Sequence, residues 1–118
     1  MSWNDKFVAL KDQVRGMKGA NPEATTAFQG IGKAVKAGGA VDFKTKEFVA
    51  LGIAVATRCE ACIMFHIDAL IRAGATREEI ADVLGMCIQM GGGPGLMYAS
   101  KALECYDELS VRAAAVPA

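Results

Sequence analysis

Read for hydrophobic periodicity, the chain repeats at three and four residues along most of its length and hardly alternates as a strand would. There are few β-branched alternations and no Asn-Gly or Asp-Gly hairpin turns. The pattern predicts an all-α fold, a compact helical bundle of about six helices forming one domain over residues 1–118. The first helix runs roughly from Asn4 to Met17, with Phe7, Val8, Leu10 and Val14 on one stripe. The second starts at Asn21-Pro22, an N-cap followed by proline at the first helical position, and stops at Gly38-Gly39. The third opens between Asp42 and Thr45 and is apolar nearly all round, as expected of a central helix. The fourth ends at Gly74, and Thr76-Arg77-Glu78-Glu79 is a capping box that opens a fifth, reaching about Met90. Gly91-Gly92-Gly93-Pro94 then breaks the chain before a last helix to about Leu109, and the tail from Ala113 to Ala118 is expected to fray.

One boundary escapes periodicity. Between Lys44 and Ala73 there is no proline and only Gly52, so propensity alone accepts a single long helix. In such a helix Glu47 and His66 lie roughly 28 Å apart, at about 1.5 Å per residue. If the chain instead folds back near Ala56 to Arg58, an antiparallel hairpin brings them level. The bend also places Cys59 and Cys62 in the first turn of a new helix, where unpaired N–H groups and the positive dipole end favour thiolate. Packing and chemistry both favour the hairpin.

That chemistry is carried by a C-x-x-C-x-x-x-H run: Cys59, Cys62 and His66, the one histidine of the chain. Positions i, i+3 and i+7 of a helix face the same way, which aligns two thiols and an imidazole. The imidazole can exchange the proton a thiol must lose, and Glu47 can orient it and favour its charged form. The expected result is a redox relay from Glu47 through His66 to the cysteine pair.

Composition narrows the rest. Thirteen basic and thirteen acidic side chains cancel, so no electrostatic case exists for nucleic acid or an anionic membrane. At 53% hydrophobic residues, so small a domain has apolar surface to spare, and a homo-oligomer is expected. Met1-Ser2-Trp3-Asn4-Asp5-Lys6 is polar, with no signal-like apolar region, so cytoplasmic residence is expected. Cys87 and Cys105 sit among apolar residues without companion acids or bases and read as inert fillers. Met64, Met86, Met90 and Met97 read as core or interface, Gly91 to Gly95 as a turn rather than a phosphate loop, and Tyr98 as a neighbour that could line the pocket.

Together these residues resemble the AhpD-like (alkylhydroperoxidase) proteins of the carboxymuconolactone decarboxylase superfamily. The matching pattern is Glu47, eleven intervening residues, then Cys59-Glu60-Ala61-Cys62-Ile63-Met64-Phe65-His66, with agreeing flanks at Lys46 to Leu51, Ala73 to Ile80 and Leu96 to Ala99. The resemblance covers about residues 20–110. It implies an AhpD-like fold, assembly into hexamers or trimers, and thiol-dependent reduction of hydroperoxides without a bound cofactor or metal. It also implies that Cys62 is oxidised to sulfenic acid and Cys59 resolves it as a disulfide, with Glu47 and His66 as the relay. The electron donor it implies is an external dihydrolipoyl-type dithiol, on a lipoyl protein or serving a peroxiredoxin partner. Ala61 departs from the pattern, since the peroxidase members carry a histidine between the cysteines. Three other readings compete: a redox-sensing or interaction module with little turnover, a zinc-stabilised structural protein using the two cysteines, His66 and Glu47, and, more remotely, a lactone-processing enzyme, which in this superfamily lacks the C-x-x-C pair.

Overall fold

The computed structural model describes residues 1–115, all of whose regular elements are helices. In order these are α1 (Trp3–Ala20), α2 (Pro22–Lys36), α3 (Phe43–Ala56), α4 (Glu60–Arg72) and α5 (Arg77–Ala115). Helix α5 is two arms joined by a kink at Gly92, whose φ of 63° and ψ of −141° leave the helical region for one that glycine occupies readily. Counting its arms separately restores the six segments read from periodicity. No helix among the described residues is long and apolar enough to cross a membrane.

The punctuation acts where its chemistry predicts. The Asn21 side chain accepts from the Ala24 N–H at 3.2 Å, and Pro22 occupies the first turn of α2. Asp42 accepts from the Thr45 N–H at 2.7 Å and opens α3. At the head of α5, Glu79 N–H donates to Thr76 Oγ1 at 3.1 Å and Thr76 N–H to Glu79 Oε1 at 2.9 Å, a reciprocal capping box. Between the arms of α5, Gly95 permits a close crossing: a Cβ there would stand 2.5 Å from the Cys87 carbonyl oxygen.

Helices α3, α4 and α5 pack on one another, and α1 closes the core from one side. Leu51, Val55, Ile63, Ile67, Leu70 and Ile80 are buried at its centre, with Trp3 and Phe7 of α1 and Leu84 and Leu109 of α5 around them. Trp3 Nε1 donates to Glu104 at 2.7 Å, which satisfies the indole as its ring is buried.

Three expectations change. Val8 and Val14 face solvent, because α1 turns Trp3, Phe7 and Leu10 inward instead. Helix α3 is central but not enclosed, for Val49 and Ile53 lie on an open face. The last helix runs on through Ala113 to Ala115, a stretch rich in the strongest helix former; residues 116–118 of the tail lie outside the described residues. Helix α2 has no buried residue and lies against α1, with Phe28, Ile31 and Val35 exposed.

Candidate functional site

The chain does fold back where the hairpin requires. Helix α3 ends at Ala56, Thr57 caps it, and Arg58 takes a φ of 55°, the left-handed conformation that reverses the chain. Two hydrogen bonds close the turn, from Arg58 N–H to the Val55 carbonyl at 3.2 Å and from Cys59 N–H to the Ala54 carbonyl at 3.0 Å. The next helix starts at once, with Cys59 as its N-cap: Cys59 Sγ accepts from the Cys62 N–H at 3.1 Å. One cysteine sulfur thus lies where backbone N–H groups and the helix dipole favour negative charge.

Cys59 and Cys62 are joined by a disulfide, their Cα atoms 5.2 Å apart. Both residues are half-buried, so the pair is not sealed from solvent. On either side of it, Glu60 in the first turn of α4 binds Lys6 of α1 at 3.1 Å and approaches Lys101 of α5 at 3.7 Å. These pairs tie three helices together around the start of α4.

One turn beyond Cys62, His66 Nδ1 stands 2.7 Å from Glu47 Oε2, a contact between residues nineteen apart that the reversal alone makes possible. An ionised carboxylate only accepts, so Nδ1 carries the hydrogen and Nε2 is left free to take up or release a proton. Glu47 is wholly buried, the single charged residue of the core among the described residues. Its other oxygen, Oε1, meets Lys36 Nζ of α2 at 2.7 Å. That contact is an ion pair rather than a well-directed hydrogen bond, for Oε1 finds no partner of good hydrogen-bond geometry. Burial by itself would push the Glu47 carboxyl up; Lys36 and His66 outweigh it and hold the acid below its ordinary value.

Glu47, Cys59, Cys62 and His66 therefore occupy one hairpin, with the acid and imidazole in contact and the sulfurs bonded to each other. Lys36 was missed from sequence; its only signal is its place in the last turn of α2, just before the glycines that lead to α3. Cys87 and Cys105 behave as fillers, since burial pushes the Cys105 thiol up to about 12 and raises that of Cys87 as well. No group of three or more His, Cys, Asp and Glu side chains among the described residues is arranged to hold a metal ion.

A separate groove of about 540 Å³ runs between α3 and α5, lined mainly by apolar groups that include Phe48, Val49, Val55, Met86, Met90 and Pro94, with Arg58 at one side. Tyr98 does not line it; its ring packs against the core with Lys101 Nζ 5.8 Å from its centroid. The glycines after Met90 serve as the turn between the arms of α5, and Gly91 and Gly95 line the groove.

This architecture and its motif have relatives. Residues 22–104 match the model of the carboxymuconolactone decarboxylase family. An uncharacterised protein of Cupriavidus necator is 42% identical over 105 residues, covering 89% of this chain and 93% of its own length. Among solved structures, a carboxymuconolactone decarboxylase family protein of Legionella pneumophila superposes with a TM-score of 0.83 at 44% identity, covering 90% of this chain and 98% of that one. A Thermotoga maritima family member, described with an antioxidative response as its suggested role, gives a TM-score of 0.79 at 28% identity, with 92% of each chain covered. With most of the chain matched in both sequence and fold, it belongs to the carboxymuconolactone decarboxylase family.

Proposed function

We propose that this protein is a thiol-dependent antioxidant peroxidase and disulfide oxidoreductase that reduces hydroperoxides through the Cys59–Cys62 pair. The observation that carries the reading is the disulfide at the start of α4 with the Glu47–His66 pair one turn behind it. The reduced enzyme presents two thiols, and His66 Nε2 takes the proton from Cys62. The Cys62 thiolate attacks one peroxide oxygen, the O–O bond breaks, and the departing alkoxide is protonated to an alcohol; Cys62 is left as sulfenic acid. The Cys59 sulfur then attacks Cys62 Sγ, water leaves, and the disulfide forms. Two electrons and two protons from an external dihydrolipoyl-type dithiol, carried by a lipoyl protein or serving a peroxiredoxin partner, restore the thiols.

The exposed apolar side chains of α2, α3 and α5 support assembly into a homo-oligomer, and the family resemblance favours a hexamer over a trimer. A cytoplasmic location suits a site that must be re-reduced in each cycle.

The test is intact-mass measurement of the fully reduced protein before and after one equivalent of hydroperoxide. Loss of two protons confined to the Cys59/Cys62 peptide, with steady turnover once a dithiol is added, is the expected result. Cys62→Ser abolishes that turnover while leaving helix content and assembly unchanged. Undiminished turnover in this variant overturns the assignment. Disulfide formation without turnover on any dithiol donor marks a sensing module instead.

A further inference from the structure

Glu47 has two partners, His66 and Lys36, and the relay uses only the first. A carboxylate bound to a single imidazole would keep the Nδ1 hydrogen bond but lose any counter-charge whenever that imidazole gave up its Nε2 proton, and a buried charge without a counter-charge is costly. Lys36 removes this problem. Its ammonium reaches the far oxygen of Glu47 from a side chain that is 41% exposed, while the carboxylate is sealed from solvent.

The lysine is placed by three features around the α2–α3 turn. Gly38 and Gly39, at φ of 86° and 107°, reverse the chain so that the first turns of α3 return beside the end of α2. Lys46 Nζ donates to the carbonyls of Val35 (2.8 Å) and Gly38, which caps the end of α2 from α3. The Phe43 ring lies 5.9 Å from the Lys36 ammonium and adds a weak cation–π contact. Several charged groups on the elements around His66 are engaged elsewhere. From α1, Lys6 binds Glu60 and Lys11 sits over the Phe7 ring. On α3, Lys44 binds Glu79. On α4 itself, Asp68 binds Arg72, and from α5, Lys101 approaches Glu60.

We propose that Lys36 is a positioning residue of the relay, a standing counter-ion that keeps Glu47 ionised and paired while His66 releases and regains its proton. A fixed positive charge at one carboxylate oxygen opposes a second at the other, so Lys36 and the imidazole share the Glu47 carboxylate. Lys36 thereby sets how readily His66 serves as a base, without touching sulfur or substrate. The inference rests on reading Glu47 and His66 as the relay.

The single histidine makes the test direct. The His66 ring resonances are followed by proton NMR against pH in the disulfide form, so that no thiolate contributes. In Lys36→Met the His66 midpoint moves to higher pH than in the unaltered protein, and Lys36→Arg brings it back. Lys36→Gln, which keeps a hydrogen-bond donor without the charge, gives the same upward shift and serves if Lys36→Met fails to fold. The shift shrinks in a Glu47→Gln background, where nothing holds the ammonium beside the imidazole. An unchanged midpoint in both neutral variants, or an equal shift in that background, overturns the proposal. Because the readout is a titration and not turnover, it stands apart from the Cys62→Ser test: either result can fail while the other holds.

Discussion

The two ends of α4 are reached through the same backbone device, in different chemistry. Before α4, Cys59 N–H reaches back to the Ala54 carbonyl at 3.0 Å and Arg58 N–H to that of Val55 at 3.2 Å. After it, Ala75 N–H reaches the Leu70 carbonyl at 2.9 Å and Gly74 N–H that of Ile71 at 3.1 Å. Each is a Schellman turn with one left-handed residue, Arg58 at a φ of 55° in the first and Gly74 at 82° in the second. Glycine adopts that conformation freely; a residue with a Cβ meets a penalty of about 1–2 kcal/mol. The turn that leads to an ordinary capping box uses the free residue, and the turn that leads to the disulfide uses the hindered one. Arg58 also lines the groove between α3 and α5. Identical turn geometry thus occurs with and without a Cβ at the left-handed position.

Acid titration separates the site from the far end of α4 most widely. Beside the middle of α4, against His66, the carboxylate is Glu47, wholly buried and held below its ordinary value of 4.5 by Lys36 and His66 against the opposing push of burial. Beyond its end is Glu79, exposed and lowered first by Lys44 and then by the Thr76 N–H. A carboxylate whose folded value is depressed contributes stability that is fully present above the unfolded value and lost as pH falls through the folded one. Both groups therefore destabilise the fold below about pH 4.5. Their weights differ. At neutral pH, Glu47→Gln is expected to cost about 1–3 kcal/mol, because it strips Lys36 and His66 of their carboxylate partner. Glu79→Gln costs clearly less than Glu47→Gln, since its ion pair is exposed and screened. Denaturant melts between pH 7 and pH 3 also show a flatter acid limb for Glu47→Gln than for the unaltered protein. Equal costs at pH 7, or parallel acid limbs, break the comparison.

The same contrast explains what was legible in the sequence. Signals written in single residues were read correctly: Asn21-Pro22, the Thr76–Glu79 box, the glycines before Pro94 and Gly74 each mark a boundary with little dependence on the rest of the fold. The hairpin was legible only because Glu47 and His66 suggested a reason for it; nothing in Ala56-Thr57-Arg58 announces a left-handed residue. Lys36 was invisible because its contact spans a loop, and a lysine near a helix C-terminus already has an ordinary explanation in the dipole. Val8, Val14, Val49 and Ile53 were assigned to buried faces by periodicity, which finds apolar stripes but not which of them lacks a neighbour in this chain.

Alanine at the second turn tests the backbone term alone. A Cβ at Gly74 meets nothing within 4 Å, so Gly74→Ala carries no steric clash and only the left-handed penalty. The expected loss is about 1 kcal/mol, read as a lower denaturant midpoint with an unchanged slope. A neutral result means that the turn relaxes out of the left-handed region without cost, and the argument from φ fails at both ends.

The smallest effect is the converse at the first turn. Arg58→Gly relieves the left-handed penalty but frees the unfolded chain and removes the arginine side chain from the groove. The first term exceeds the others by a little, so the variant gains about 0.5 kcal/mol in the same denaturant melts. Because the residue precedes Cys59, the melts are paired with mass measurement of the oxidised protein, in which the Cys59–Cys62 disulfide should persist. A loss as large as that of Gly74→Ala would reverse the ranking: the arginine side chain, and not the backbone it strains, would then be what holds the entrance to α4.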